Sequence, residues 1–237
     1  MDYAEDIEKI KDLSKKRKDI VVSYGGDGTI LDTWRDAVSK HKIIFPVRNY
    51  GRCERHRDPF SMVDFGRVKA YHPVLCKRPA GAVEYRCKAL SEIQVKSADI
   101  TSALRRDVYV DGRKFFGNVI ADGVLCSSVF GATGYFSSVA HTLFDSGLGL
   151  AFVAPTVGVS NLVLRKHQEI RVKLLRAAEI QLAADKIVER FKAEEGQEFA
   201  FSTDVSESAL FVGFDEFHCP ECRAKRHGTS LVAQYIK

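Results

Sequence analysis

The stretch Asp19-Ile-Val-Val-Ser-Tyr-Gly-Gly-Asp-Gly-Thr29 runs from a β-branched apolar segment into a glycine cluster. Residues 20–24 have the composition of a strand buried on both faces, and Gly25-Gly26-Asp27-Gly28 break it. After Thr29, the residues Ile30, Leu31, Trp34, Ala37 and Val38 are spaced as the buried face of a helix. Upstream, Ile7, Ile10 and Leu13 stand three apart among lysines and glutamates, which predicts a surface helix with one buried stripe over residues 4–18. Downstream, Ile43 to Val47 reads as a second strand. The order helix, strand, glycine turn, helix, strand is half of a doubly wound α/β domain.

From about residue 83 the pattern changes to β-branched segments separated by polar turns: Glu92 to Val95, Val108 to Val110, Lys114 to Ile120, Val124 to Cys126, Leu150 to Val153, Asn161 to Leu164 and Ile170 to Leu174. Asp111-Gly112, between two such runs, predicts a hairpin turn. Residues 176–194 are open between a helix on propensity and strands in context. The expected organisation is an α/β nucleotide-binding domain over 1–82, joined by a C-terminal return over 215–237, and a β-rich, mainly antiparallel domain over 83–214.

A chain of 237 residues can bury a core without disulfides. Its 45% hydrophobic and 28% charged residues are globular averages, which excludes disorder and fibrous repeats as the starting expectation. Mean hydropathy is −0.15 and no apolar run approaches the roughly 18 residues of a membrane span, so no membrane partner is expected. The opening MDYAEDIEKIKD is acidic and amphipathic, the wrong order for a secretory signal, so a cytoplasmic location is expected. The net charge of +5 is spread along the chain, which suits phosphate-bearing ligands better than nucleic acid. Six cysteines without an export signal read as free thiols or metal ligands.

The glycine turn lets the backbone approach a phosphate closely, and the helix behind it offers N–H groups and the positive end of its dipole. It is neither GxxxxGK[ST] nor GxGxxG, so P-loop and Rossmann dinucleotide readings are not supported. Taken alone it also reads as a tight turn with Asp27 capping the helix. The second segment, Asp122-Gly123-Val-Leu-Cys-Ser127-Ser128-Val-Phe-Gly131-Ala-Thr133-Gly134-Tyr135-Phe-Ser-Ser138, combines a strand, a small-residue turn and a helix start.

In this order and separation the two segments resemble the NAD kinase family, whose members carry an early GGDGT turn and a later DG…STPTGSTAY…S stretch. Ala89-Leu90-Ser91-Glu92 is a weaker match to the ALNE or ALND segment of that family. The resemblance runs from about Asp19 to Pro155. It implies an active site in the cleft between two domains, where ATP or polyphosphate donates a phosphoryl group to the 2′-hydroxyl of the adenosine ribose of NAD. It further implies Mg²⁺ accompanying ATP, and a homo-oligomer. By position, Asp27 would take or orient the proton of that hydroxyl, and Gly25, Gly26, Gly28 and Thr29 would line phosphates. Ser91, Glu92, Asp122 and Gly123 would bind the nucleotide, with Ser127, Thr133, Tyr135 and Ser138 shaping the pocket. A ribose hydroxyl is a poor acid, so a carboxylate that accepts its proton suits the chemistry.

The sequence departs from the family at several points. Ser91 replaces an Asn that would hydrogen-bond the dinucleotide through its amide. Val129-Phe130 replaces Pro-Thr, Gly134 stands where Ala is usual, and residues 49–56 replace an apolar NLGRLGFL-like turn. The chain also begins with a helix where family members place a further strand and helix before the glycine turn. The altered loop carries Arg48, Arg52, Arg55 and Arg57 just after a strand, where ligands bind in open α/β sheets; Arg52 is the residue expected on phosphate, against a solvated basic loop.

Cys219-Pro-Glu-Cys222 and Cys53-Glu-Arg-His56 are two knuckles with two-residue spacing. Together they would supply four ligands to a tetrahedral structural Zn²⁺, with His218 and His227 as alternatives and ordinary thiols as the competing reading. The first reading is therefore a kinase making NADP. Its rivals are a kinase for a nucleoside, sugar or lipid-like alcohol, a non-catalytic nucleotide-binding protein, and a zinc-bearing nucleic-acid binder.

Overall fold

The strand before the glycine turn forms as expected: β1 (Ile20–Tyr24) runs parallel to β2 (Ile43–Val47), with Tyr24 opposite Val47. The structure, a computed structural model, describes residues 3–80, 83–214 and 219–227. It divides into two units, residues 1–70 with 209–237, and residues 71–208. The sequence pattern alone places these boundaries at 82/83 and 214/215. They fall earlier because β4 (Val74–Ala80) pairs along its whole length with β5 (Val83–Ala89), and β16 (Ala209–Phe211) pairs with β2. Of the expected 215–237 return, residues 219–227 are described.

The first unit holds a four-stranded sheet of order β1-β2-β16-β3, where β3 is Lys69–Tyr71. Helix α2 (Asp27–Val38) buries Ile30, Trp34 and Ala37, the i, i+4, i+7 stripe of an amphipathic helix. Ile20, Phe45, Val47 and Val212 form a small core against which Leu13, Phe60, Val63 and Phe65 pack. Helix α1 (Tyr3–Lys16) differs from expectation in one respect. Its stripe of Ile7, Ile10 and Leu13 is only half-buried, while Asp6 is buried outright. That carboxylate accepts hydrogen bonds from Tyr24 Oη at 2.8 Å and from the Arg52 guanidinium, which offset the cost of removing it from water.

The second unit is two six-stranded antiparallel sheets packed face to face. One has the order β11-β10-β9-β6-β13-β14, with β6 Glu92–Ser97, β9 Gly123–Ser127, β10 Leu148–Val153, β11 Leu162–Leu164, β13 Ala178–Ala184 and β14 Ile187–Ala193. The other has the order β5-β4-β15-β12-β7-β8, with β7 Leu104–Val110, β8 Arg113–Ala121, β12 Ile170–Leu174 and β15 Glu198–Thr203. Ile93, Val95, Ile180 and Leu182 from the first sheet meet Val108, Val172, Phe199 and Phe201 from the second. Burial alternates along β6, β12, β13 and β15, the period of a half-buried strand. Strand β9 is buried throughout, because helix α3 (Tyr135–Ala140) sets Phe136 against Leu125 and Ala151 on its outer face.

Asp111 and Gly112 sit at φ +48° and +77°, the paired left-handed residues of a type I′ turn joining β7 to β8. Residues 178–193, open between helix and strand in sequence, are the hairpin β13–β14. Ile180, Leu182 and Ala184 alternate inward there, and pairing to β6 prevails over helix propensity. Among the described residues no helix is long and apolar enough to cross a membrane.

Candidate functional site

In the first unit, Gly25 N–H donates to Val47 O at 2.9 Å, extending the β1–β2 ladder one residue into the glycine turn. A Cβ on Gly25 would lie 2.3 Å from Thr29 Oγ1, so the close passage of turn over helix requires glycine there. Gly26 is the extended N-cap, its carbonyl accepting from Thr29 and Ile30 N–H at 3.0 and 3.2 Å. Asp27 is the first residue of α2 and not its cap, which leaves the carboxylate to reach outward.

The side chain of Asp27 is 64% exposed, and its Oδ1 accepts a 2.7 Å hydrogen bond from Arg48 Nη2. Arg48 directly follows β2, and its guanidinium is itself largely buried. An ion pair with so exposed a carboxylate contributes little stability; its effect is to orient Asp27 at a helix start. The other arginines of the loop behave differently. Arg52 is buried and turned inward, forking onto Asp6 and donating to the backbone carbonyls of Arg48 and Arg57. Its place on phosphate is thereby corrected to one inside the fold, where it holds α1 and the loop together. Arg55 and Arg57 are exposed.

The second unit gathers a different set of residues at the head of β6. Asp185, in the β13–β14 turn at φ +51°, accepts N–H bonds from Leu90 and Ser91 at 2.8 Å and from Glu92 at 3.3 Å. Ser91 O in turn accepts from Ser128 N–H at 2.9 Å and from Ser127 Oγ at 3.4 Å. The Ser91 hydroxyl donates to Glu92 Oε2. Phe130 is buried edge-on to Tyr71, with ring centres 6.1 Å apart. Asp122, Gly123 and Tyr135 gather at the other end of the β6–β9 ladder, since Glu92 lies opposite Ser127 and Lys96 opposite Gly123. There Lys96 Nζ lies 4.8 Å from the Tyr135 ring centre and donates to its hydroxyl at 3.2 Å. Thr133 closes a 3-10 turn over Gly131–Thr133, and Ser138 is exposed on α3.

Burial raises the pKa of Glu92 above the ordinary glutamate value, with the charge of Asp185 adding to it and the Ser91 hydroxyl and Lys96 opposing it. An acid whose folded pKa is raised favours folding below its unfolded pKa, and that contribution is lost as pH rises through the folded value. Glu92→Gln is therefore expected to melt higher than the parent protein at pH 7–8, with the difference closing below about pH 4.3. Thermal scans across pH check this, and an unchanged melting temperature at pH 8 would count against it. Arg106, fully buried beside Asp122, donates to Leu104 O and Ala121 O; burial lowers its pKa to about 10, against the opposing charge of Asp122.

Cys53, His56, Cys219 and Cys222 are all buried, and their ligand atoms lie within 4.8 Å of one another. His218 and the side chain of His227, the alternative ligands, lie outside the described residues. Asp185 and Lys96 are not legible as site residues in the sequence, the first because its turn lies in the segment that reads equally as helix or strand.

No protein-family model matches the chain. It is 27% identical over 187 residues to the NAD kinase of Treponema denticola, covering 70% of this chain and 64% of that one. It is 26% identical over 183 residues to the NAD kinase of Clostridium tetani, covering 70% and 66%. The match thus spans just under two thirds of those relatives. Among solved structures, an NAD kinase from Archaeoglobus fulgidus in complex with ATP superposes with a TM-score of 0.66 at 19% identity, over 94% of this chain and 96% of that one. The fold is that of the NAD kinases. A yeast NADH kinase complexed with NADH has the same NAD kinase fold, with a TM-score of 0.65 at 21% identity over 82% of this chain and 61% of that one.

Proposed function

We propose that the protein is a kinase that moves a phosphoryl group from ATP to the 2′-hydroxyl of the adenosine ribose of NAD. The observation that carries this reading is the glycine turn, which sets an exposed carboxylate, steadied by Arg48, at the first residue of a helix. Asp27 takes the hydroxyl proton as the new P–O bond forms and the bond from the γ-phosphorus to the β,γ-bridging oxygen breaks, releasing ADP, while the N–H groups of the first helical turn and Arg48 offer positive charge to phosphate oxygens. The oxygen donors of donor phosphates and water suit Mg²⁺, which when bound neutralises charge on the transferred group. Ser91, Glu92, Asp122, Gly123, Ser127, Thr133, Tyr135 and Ser138 are proposed for the nucleoside portions. Zinc has no part in this chemistry, since phosphoryl transfer to an alcohol needs no metal-bound hydroxide.

A second reading, a different small hydroxyl acceptor, is favoured by the Ser91 hydroxyl being turned onto Glu92 and by the buried bulk of Phe130. One experiment separates the two. The protein is incubated with Mg²⁺, ATP and, singly, NAD⁺, NADH, nucleosides and sugars, and products are identified by mass. Gain of one phosphate by NAD⁺ or NADH is expected. Phosphate on another acceptor alone selects the second reading, and consumption of ATP with none of them sinks both.

A further inference from the structure

The Cys53, His56, Cys219, Cys222 cluster lies wholly in the first unit and takes no part in the proposed transfer. Its two halves are built alike. Cys53 caps a 3-10 turn over Glu54–His56, with His56 N–H donating to Cys53 O at 3.1 Å, so positions i and i+3 face one way. Cys219 precedes helix α4 (Pro220–His227), whose first turn presents Cys222 on the same side.

Distances separate a metal site from a chance meeting of thiols. For zinc with Zn–S of about 2.3 Å and Zn–N of about 2.0–2.1 Å, tetrahedral geometry places sulfurs about 3.8 Å apart and sulfur about 3.6 Å from nitrogen. Here Cys53 Sγ lies 3.5 Å from Cys222 Sγ and 4.0 Å from Cys219 Sγ. His56 Nδ1 lies 3.3 Å from Cys53 Sγ and 3.5 Å from Cys222 Sγ. Four of the six edges of a coordination tetrahedron are thus within about 0.3 Å of their zinc values, all four ligand atoms lie within 4.8 Å of one another, and neither of these sulfur pairs approaches the roughly 2.05 Å of a disulfide.

A backbone donor also points at the sulfurs. Cys53 N–H donates to Cys222 Sγ at 3.2 Å. Buried cysteines alone behave as small hydrophobes, yet a histidine that is 3% exposed among three of them is no hydrophobe. Three thiolates and an imidazole with no carboxylate select zinc over magnesium or calcium.

We infer that Cys53, His56, Cys219 and Cys222 bind one structural zinc ion that fastens α4 to the loop after β2. Cys53 and Cys222 are 169 positions apart, so the ion ties together the two separate chain segments of the first unit. All four protein ligands are spoken for, which leaves no open position for catalysis.

The full chain, purified without added metal, is expected to carry about one zinc ion by elemental analysis, and to lose it with a fall in melting temperature under a strong chelator. Re-addition of Co²⁺ alone should give the visible ligand-field bands of a tetrahedral site and a thiolate charge-transfer band. Cys219→Ser and Cys222→Ser should abolish both signals, whereas Cys87→Ser, a thiol outside the cluster, should keep them. Absence of zinc together with absence of the cobalt bands in the parent chain overturns the inference, as does full metal content in Cys219→Ser. Because metal content and cobalt spectra do not depend on turnover, failure here is distinct from failure of the kinase reading.

Discussion

Asp27→Asn is expected to lower turnover about 10²- to 10⁴-fold while nucleotide affinity changes little, the usual scale for losing a positioned general base. The asparagine keeps the size of the side chain and an Oδ1 able to accept from Arg48 Nη2, which now donates at 2.7 Å. It cannot take up a proton. The turn itself is fixed by Gly25 against Thr29 and by the Gly26 carbonyl, so the substitution leaves the backbone in place. Steady-state turnover measured beside direct nucleotide titration checks the split. Turnover near that of the parent protein would remove Asp27 from the mechanism.

Gly131→Ala is expected to unfold the second unit at markedly lower temperature. An added Cβ would lie 2.4 Å from Ser91 O, 2.6 Å from Ser127 Oγ and 2.7 Å from Ser91 C. The crowded atoms are mostly backbone, and Ser91 cannot retreat, because Asp185 holds its N–H and Ser128 N–H holds its carbonyl. Overpacking of this kind costs about 1–3 kcal/mol or more. At about 2–4 °C per kcal/mol for a chain of this size, the melting temperature should fall by roughly 2–12 °C. Gly112→Asn is the control: nothing stands within 4 Å of a Cβ there, and asparagine tolerates the left-handed backbone of that turn. Equal melting temperatures for the two variants would show that the approach of Gly131 to Ser91 does not constrain the fold.

What is legible in the sequence is local. The passage from β-branched strand through glycines into a 3.6-period helix needs only neighbours, and so do the alternating strands of the second unit and the Asp111-Gly112 turn. The 178–193 hairpin is ambiguous in sequence because alanines and charged residues favour helix intrinsically, and only pairing to β6 decides the matter. Arg52 illustrates the same limit at a charge. Its loop position suggests phosphate, but its partner Asp6 lies 46 positions away on α1, and no spacing rule discloses that pairing. Asp185 holds three N–H groups of a turn more than 90 positions upstream, a role set wholly by the sheet order. The two knuckles are visible as spacings; that they meet follows from β16 bringing the chain back beside β2.

That return has a consequence for how the chain acquires its structure as it leaves the ribosome. Strands β1, β2 and β3 are made before residue 72, but β16, which sits between β2 and β3, is made only after the whole of the second unit. The second unit is contiguous and rich in hairpins between sequence neighbours, so it can fold as soon as it emerges. Until Ala209–Phe211 arrive, the nascent first unit presents one flank of β2 as an unsatisfied strand edge, the kind of surface on which chains join wrongly. The sheet of the first unit is thus completed only after the second unit has been made, and synthesis interrupted before residue 209 leaves one finished half and one open one.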